Sequence, residues 1–214
     1  MPRGTRLIVP GIPHHVVQRG NRQQQIFFGD NDRRAYVALL ADATKRHEVR
    51  CIAWCLMTNH VHLALIPPTN DALRATLSSV HTAYSQRVNR HQNLSGHLFQ
   101  GRYASYPMDD RHTMIAVRYI ENNPVAAGMA ASADAWPWSS ARAHVTNDPD
   151  GLTDLRFLAS HVSNWQAYLR DGLEAADCNA AIEQALRVGV PISEIDQKRG
   201  RGRPRREKGD SPLY

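Results

Sequence analysis

The first 125 residues mix two hydrophobic periods, one of two residues and one of three to four. Alternating apolar positions are typical of β-strands, and apolar positions three and four apart form one face of a helix. In chain order the pattern predicts a strand at 14–19, a helix from Asp30 or Asn31 to about His47, a strand at 49–57 and a histidine-containing strand that closes at Pro67-Pro68. A second helix is predicted from Asp71 to about His91, followed by an extended segment at 98–108 with a bulge or a close backbone approach at Gly101. A third helix is capped by Asp109 or Asp110 and ended by Asn122-Asn123-Pro124.

The order of these elements predicts the fold. It matches the split β-α-β-β-α-β of a ferredoxin-like sandwich, followed by an added helix. We therefore expect an α+β protein with a four-stranded antiparallel sheet and two helices on one face. The first and third strands are central in that topology, so the third strand directs His60 and His62 toward the face without those helices. The added helix, which carries Tyr119, is expected to cover part of that face.

The chain after the third helix carries weaker signals. We expect Trp136 and Trp138 to close the core, and turn-forming residues crowd together at 147–151. The sequence predicts a main domain at 1–146, a small helical module at 147–196 and a basic, disordered tail at 197–214.

The composition indicates a globular protein, because 42% of the 214 residues are hydrophobic. No apolar stretch has the length of a membrane span, and the first ten residues lack the apolar core of a secretion signal. We expect a cytoplasmic protein with no membrane partner. Cys51 and Cys55 are expected on one strand face with Ala53, and Cys178 in a helix, which favours reduced thiols over disulfides.

The positive charge lies at the two ends of the chain. Residues 197–208 hold seven basic residues and one acidic residue, and their net charge of +6 equals that of the whole chain. Such ends predict a polyanionic partner, most commonly nucleic acid. When it is bound to DNA, the cytoplasmic protein is expected to associate with the bacterial nucleoid. Within the tail, Arg199, Arg201, Arg203 and Arg205 resemble the core of an AT-hook, with Arg201 and Arg203 as the pair inserted into a minor groove. A nonspecific basic tail is the alternative.

The histidine-containing strand offers the best clue to chemistry. His60 and His62 alternate with Val61, so both imidazoles point to one face of the strand. Two imidazoles about 6 to 7 Å apart can hold one divalent ion. The alternative is a pair of half-exposed histidines that face water.

Tyr119 and Asn123 extend this constellation. They are four residues apart on the third helix and share one face. An amide oxygen of Asn123 and the two imidazoles would hold Mg²⁺ or Mn²⁺, and the Tyr119 phenol could attack a DNA phosphodiester and retain the end covalently. The alternative for Tyr119 is a packing role, since the chain has seven tyrosines.

Four segments occur in a defined order: HHVVQRGNR at 14–22, WCLMTNHVH at 54–62, LFQGRY at 98–103 and YIENNPV at 119–125. Together they resemble the single-tyrosine HUH transposases, and among these they are most similar to the REP-associated tyrosine transposases of bacteria. The resemblance spans roughly residues 5–145, which is far more specific than any one motif. The main domain is therefore expected to be the catalytic domain of such an enzyme.

The resemblance implies a ferredoxin-like fold, single-stranded DNA substrates that bear hairpins, and a 5′-phosphotyrosine intermediate. By position, His60 and His62 match the paired metal ligands, Tyr119 matches the nucleophile, and Asn123 stands where a third ligand is expected. Thr58 replaces the proline of many relatives at a turn, where no chemical consequence is expected.

Further residues are candidates for DNA contacts. Arg102 could bind phosphate, and Tyr103 could stack on a base or pack against the sheet. Arg19, Asn21 and Arg22 are candidates for contacts to hairpin or single-stranded DNA, with exposed solubilising residues as the alternative.

Three hypotheses follow for the function. The first is a metal-dependent enzyme that nicks and rejoins single-stranded DNA through Tyr119. The second is a catalytically idle protein of the same fold that binds hairpin DNA, and the third is a metal-dependent hydrolase that uses water. The intact set of His60, His62, Tyr119 and Asn123 favours the first. The sequence is compatible with a monomer or a homodimer.

Overall fold

The computed structural model describes residues 7–174 and residue 184. Its elements are β1 (His14–Arg19), α1 (Asp30–Arg46), β2 (Arg50–Leu56), β3 (His60–Ile66), α2 (Ala72–Gln92), β4 (Ala104–Pro107), α3 (Asp110–Ala126), α4 (Ala141–Thr146) and α5 (Trp165–Glu174). The predicted order of strands and helices is confirmed. The basic tail, with Arg199, Arg201, Arg203 and Arg205, and Cys178 lie outside the described residues.

The four strands form one antiparallel sheet in the order β2-β3-β1-β4. β1 and β3 are central, which confirms the predicted α+β, ferredoxin-like topology. One face packs against α1 and α2 through a core that includes Val16, Leu63, Leu77 and Tyr84. The other face packs against α3 and α5 through a second core that includes Ala64, Ile120 and Trp165. The histidine strand therefore lies in the middle of the sheet, with α3 over its second face.

The face predicted for Cys51 is wrong. The register between β2 and β3 shifts between Cys51 and Ala53, which marks a β-bulge. A bulge adds one residue to a strand and breaks the alternation of faces. Cys51 consequently packs in the core under α1 and α2, whereas Ala53 and Cys55 pack in the core under α3. Both cysteines are free and buried, and burial raises the pKa of each thiol.

The predicted end of the third helix is also wrong. α3 begins after Asp109, whose side chain accepts a hydrogen bond from the backbone N–H of His112, but it continues through Pro124 to Ala126. Pro124 removes only one backbone donor, and the turn beyond it closes normally. The N–H of Met129 donates to the carbonyl of Pro124 and that of Gly128 to Val125, with Gly128 at φ +68°. This is a Schellman motif, so the helix stops at the glycine.

The predicted extended segment at 98–108 pairs as a strand only at its end. β4 covers the edge of β1 as far as Val17, and no β4 residue lies opposite Gln18. The preceding chain returns to the same edge at Gln100, whose N–H donates to the carbonyl of Arg19. Gly101 lies between these two contacts with φ +63°, a left-handed conformation that suits the irregular backbone predicted at this glycine. The edge of the sheet is therefore interrupted beside Gln18.

The segment after residue 147 contacts the sheet. Asp154 accepts a 2.7 Å hydrogen bond from the Arg50 guanidinium, and the indole N–H of Trp54 donates to Asp150. Leu158 and Leu169 join the second core. The division of the chain at residue 146 stays a prediction. None of the helices within the described residues is long and apolar enough to cross a membrane.

The folded state is expected to lose stability in mild acid, and His81 provides a test. Its ring stacks on Tyr36 and accepts or donates a 3.1 Å hydrogen bond at the Tyr36 hydroxyl, and burial lowers its pKa from 6.5 to about 3. Because the unfolded chain binds the proton more tightly, stability is full above pH 6.5 and falls by about 1.4 kcal/mol per pH unit below it. Urea unfolding at pH 6.5 and 5 should show a smaller loss for His81→Phe than for the unaltered protein. An equal loss would contradict this assignment.

Candidate active site

His60, His62 and Tyr119 meet on the second face of the sheet. The ring centroids of His60 and His62 lie 4.9 Å apart, and those of His62 and Tyr119 lie 5.5 Å apart. The histidines come from the central strand β3 and the tyrosine from α3, which crosses that strand. The structure thus brings together the residues that sequence analysis selected for a metal and a nucleophile.

Hydrogen bonds orient the two imidazoles. Nδ1 of His60 lies 2.7 Å from Oδ1 of Asn59, which can only accept, so His60 carries its proton on Nδ1 and a lone pair on Nε2. Nδ1 of His62 lies 2.9 Å from Nε2 of His15. Nε2 of His62 is buried and has no hydrogen-bond partner within the described part of the chain. With its proton on Nδ1, His62 donates to His15 and keeps a lone pair on Nε2 that a metal ion can satisfy, whereas a protonated Nε2 could not bind one.

Burial keeps these histidines neutral. Desolvation, with a smaller contribution from Arg19, lowers the pKa of His60 to about 4. Desolvation, together with His15 and His60, lowers the pKa of His62 well below its usual value. Only a neutral imidazole can bind a metal ion. The unpartnered Nε2 of His62 and its protonation state both fit a metal ligand.

Asn123 lies one turn after Tyr119 on α3. Its Nδ2 donates a hydrogen bond to the Tyr119 carbonyl at 3.0 Å, which fixes the orientation of the amide. The amide oxygen Oδ1 does not take part in this bond and can accept another partner. The described residues contain no group of three or more His, Cys, Asp or Glu that could hold a metal ion. A metal at this position would therefore rely on two imidazoles and an amide oxygen.

A cleft of about 680 Å³ opens beside Tyr119, and we call it the Tyr119 cleft. Its lining residues are Val17, Gln18, Arg19, Gln23, His60, Gln100, Arg102, Ala104, Tyr119 and Asn123. Two guanidinium groups and no carboxylate occur among these lining residues, which suits an anionic ligand.

The other predicted DNA contacts are distributed differently. Asn21 and Arg22 lie on a short 3-10 turn whose last residue, Gln23, lines the cleft, and Arg22 is exposed. They do not line the Tyr119 cleft. Tyr103 is only 9% exposed and packs in the core under α1 and α2. Of the two roles considered for Tyr103, the structure therefore supports packing.

Sequence analysis missed His15 and Tyr106. His15 is 1% exposed, contacts His62 and lies 6.2 Å from the Tyr119 ring centroid. Tyr106 pairs with His15 across β1 and β4 and therefore shares its face of the sheet. The signal for His15 was its alternation with Val17 and Arg19, which becomes informative only once the pairing of β1 with β3 is known.

A buried carboxylate anchors the helix that carries Tyr119. Glu121 is fully buried and lies two residues after Tyr119 on α3. It accepts hydrogen bonds from the Ser140 hydroxyl, from Nδ1 of His144 at 2.6 Å and from the Trp165 indole at 2.7 Å. The neighbouring Asn122 donates to the Leu169 carbonyl at 2.8 Å. α4 and α5 therefore fix the position of α3 over the sheet.

Comparisons with known proteins agree with this geometry. A family model described as "Transposase IS200 like" matches residues 9–123. No curated protein matches the chain. Among solved structures, a REP-associated tyrosine transposase bound to a REP hairpin is similar with a TM-score of 0.58 and 18% identity, over 72% of this chain and 90% of that one.

A second solved structure is a putative transposase from Deinococcus radiodurans, with a TM-score of 0.40 and 17% identity over 56% of this chain and 96% of that one. The family match covers more than half of the chain, and the predicted resemblance is confirmed. The chain belongs to the family of IS200-like transposases.

Proposed function

We propose that this protein nicks and rejoins single-stranded DNA, with Tyr119 as the nucleophile and hairpin-bearing strands as substrates. The observation that carries the proposal is the position of Tyr119, whose ring contacts His62 beside a cleft lined by Arg19 and Arg102 and no carboxylate. Membership of the transposase family supports DNA strand chemistry. The similar structure that is bound to a REP hairpin supports hairpin DNA as the partner.

The chemistry follows from the phenol. Tyr119 loses its proton, its oxygen forms a bond to phosphorus, and the bond from phosphorus to the 3′ oxygen breaks. That oxygen takes up a proton and becomes a 3′-hydroxyl, while the 5′ end stays on the enzyme as a phosphotyrosine. One phosphodiester replaces another, so a 3′-hydroxyl can reverse the step and join the strand. Arg19 and Arg102 would bind the flanking phosphates and hold the strand against the phenol.

We propose that His60 Nε2, His62 Nε2 and Asn123 Oδ1 hold Mg²⁺ or Mn²⁺. When bound, the ion would offset the negative charge that develops on the phosphate in the transition state. The neutral imidazoles and the unpartnered Nε2 of His62 support this assignment. His15 would act through His62 by keeping the proton of that ring on Nδ1.

Metal affinity is expected to depend on His15 as well as on the ligands. Replacement His15→Phe removes the acceptor for His62 Nδ1 and should weaken Mn²⁺ binding by about 10- to 100-fold, and His62→Ala should weaken it further. Titration calorimetry with Mn²⁺ measures this without DNA or turnover. His91→Ala, at an exposed position of α2, is the control. Unchanged affinity in both His15→Phe and His62→Ala would contradict the assigned metal site.

The test of the function is a joining reaction. The purified protein is incubated with Mg²⁺ or Mn²⁺, a labelled single-stranded hairpin oligonucleotide and a second strand that ends in a 3′-hydroxyl. We expect nicking followed by a joined product of the two strands. Cleavage that yields a free 5′-phosphate and no joining would favour a hydrolase, and binding without cleavage would favour an idle DNA-binding protein.

We further propose that the basic tail strengthens DNA binding, with Arg199, Arg201, Arg203 and Arg205 as the contacts. Their charge and their resemblance to an AT-hook support this role.

A further inference from the structure

A second cleft lies on the other face of the sheet, between α2 and the chain at 96–103, and we call it the Gln18 cleft. It holds about 700 Å³, and its lining includes Gln18, Arg74, His81, Phe99, Arg102 and Tyr103. With His97, four aromatic or imidazole rings line the cleft, and two guanidinium groups lie among its lining residues. This combination of rings and positive charge is that of a site for an unpaired nucleotide.

The two clefts are adjacent and share lining residues. Gln18 and Arg102 line both of them. They meet where the sheet edge is interrupted, since no β4 residue pairs with Gln18 and the chain rejoins the edge only at Gln100. A strand whose phosphates lie in the Tyr119 cleft can therefore direct one nucleotide around the edge into the Gln18 cleft.

The side chain of Gln18 supplies the polar group. It is 2% exposed, and its Nε2 donates to the carbonyl of Arg19 at 3.2 Å. Its Oε1 is buried and has no hydrogen-bond partner among the residues that the structure describes. An unsatisfied buried acceptor is unfavourable, and a ligand that donates a hydrogen bond removes that cost.

The rings beside it can receive a flat ligand. The His81 and Phe99 ring centroids lie 4.6 Å apart at an angle of 43°, and both side chains line the cleft. Stacking on such rings accepts any base, so it cannot select one. A hydrogen bond to Gln18 Oε1 can select by the position of the donor, because adenine, cytosine and guanine donate from an exocyclic amino group outside the ring, whereas thymine donates only from its ring N3–H.

We propose that the Gln18 cleft binds one unpaired nucleobase of the DNA strand and selects a base with an exocyclic amino group. The base stacks beside Phe99 and His81, its amino group donates to Gln18 Oε1, and Arg102 binds the adjoining phosphate. This inference rests on the proposed function, in that it assumes single-stranded DNA in the Tyr119 cleft.

The test changes the DNA first, so that it needs no variant. In a hairpin oligonucleotide that the protein nicks, each unpaired base is replaced singly by its analogue without the amino group: adenine by unsubstituted purine, guanine by hypoxanthine, and cytosine by pyrimidin-2-one. Affinity for the full-length protein is measured by fluorescence anisotropy. We expect one position at which loss of the amino group weakens binding by about tenfold or more.

A variant then assigns that effect to the cleft. Gln18→Met keeps the length of the side chain and removes the acceptor, so the difference between the two bases at that position should fall to within about twofold. Gln92→Met, at an exposed position near the end of α2, should keep the difference.

If the protein still nicks the hairpin strand, equal affinity for all altered strands would overturn the assignment of the cleft. A preference that persists in Gln18→Met would overturn it as well. Absence of both hairpin binding and nicking would overturn the proposed function itself.

Discussion

Replacement of Tyr119 by phenylalanine is expected to abolish nicking and to leave hairpin binding within about twofold. The substitution removes one oxygen and keeps the ring that contacts His62 at 5.5 Å and His15 at 6.2 Å. Loss of a covalent nucleophile commonly lowers the rate by roughly 10³-fold or more. Single-turnover nicking of a labelled hairpin strand, with anisotropy for binding, measures both quantities.

Tyr106 provides the matched control for this prediction. It lies on β4 opposite His15, and burial raises the pKa of its phenol. It is therefore a second tyrosine on the face of the sheet that carries the histidines. Tyr106→Phe should retain nicking within a few-fold. Nicking that is lost in Tyr106→Phe and kept in Tyr119→Phe would transfer the nucleophile to β4.

Replacement of Glu121 by alanine is expected to destabilise the protein by about 3–5 kcal/mol. The carboxylate is fully buried and receives hydrogen bonds from Ser140, His144 and Trp165, all of which would lose their acceptor. A loss of this size is a large part of the 5–15 kcal/mol typical of a folded domain. Urea unfolding, followed by circular dichroism, gives the free energy of unfolding.

Two variants sharpen this measurement. Glu121→Gln keeps one acceptor oxygen in nearly the same place, so it should cost clearly less than Glu121→Ala. Asp42→Ala removes an exposed carboxylate of α1 and should change stability by no more than about 0.5 kcal/mol. A cost below about 1 kcal/mol for Glu121→Ala would contradict the anchoring role of the buried network.

The sequence was sufficient to predict the features that depend on local periodicity. The order of strands and helices follows from hydrophobic spacing, and it leads to a central histidine strand by topology alone. The common face of His60 and His62 follows from strand alternation, and that of Tyr119 and Asn123 from the helical repeat. Strand alternation and the helical repeat were therefore sufficient to predict that the two histidines share one face of the strand and that Tyr119 and Asn123 share one face of the helix.

The features that depend on register or on several elements could not be predicted in this way. The bulge between Cys51 and Ala53 contains no Gly or Pro that would indicate it in the sequence, so the strand face predicted for Cys51 was wrong. Pro124 is a strong helix-stop signal, but the Schellman motif at Gly128 determined the end of α3.

The contact of His15 with His62 joins residues 47 positions apart, and the network of Glu121 draws its donors from α4 and α5. Local spacing carries no information about such contacts.

The most direct test of the central claim is to identify the residue that becomes joined to DNA. The full-length protein is incubated with hairpin DNA and Mn²⁺, denatured, treated with nuclease and trypsin, and analysed by mass spectrometry. Trypsin cleaves after Arg102, Arg111 and Arg118, so Tyr106 and Tyr119 fall in different peptides. We predict a nucleotide attached to the peptide that begins at Tyr119. A nucleotide on the peptide that contains Tyr106, or nicking without any modified tyrosine, would contradict the account.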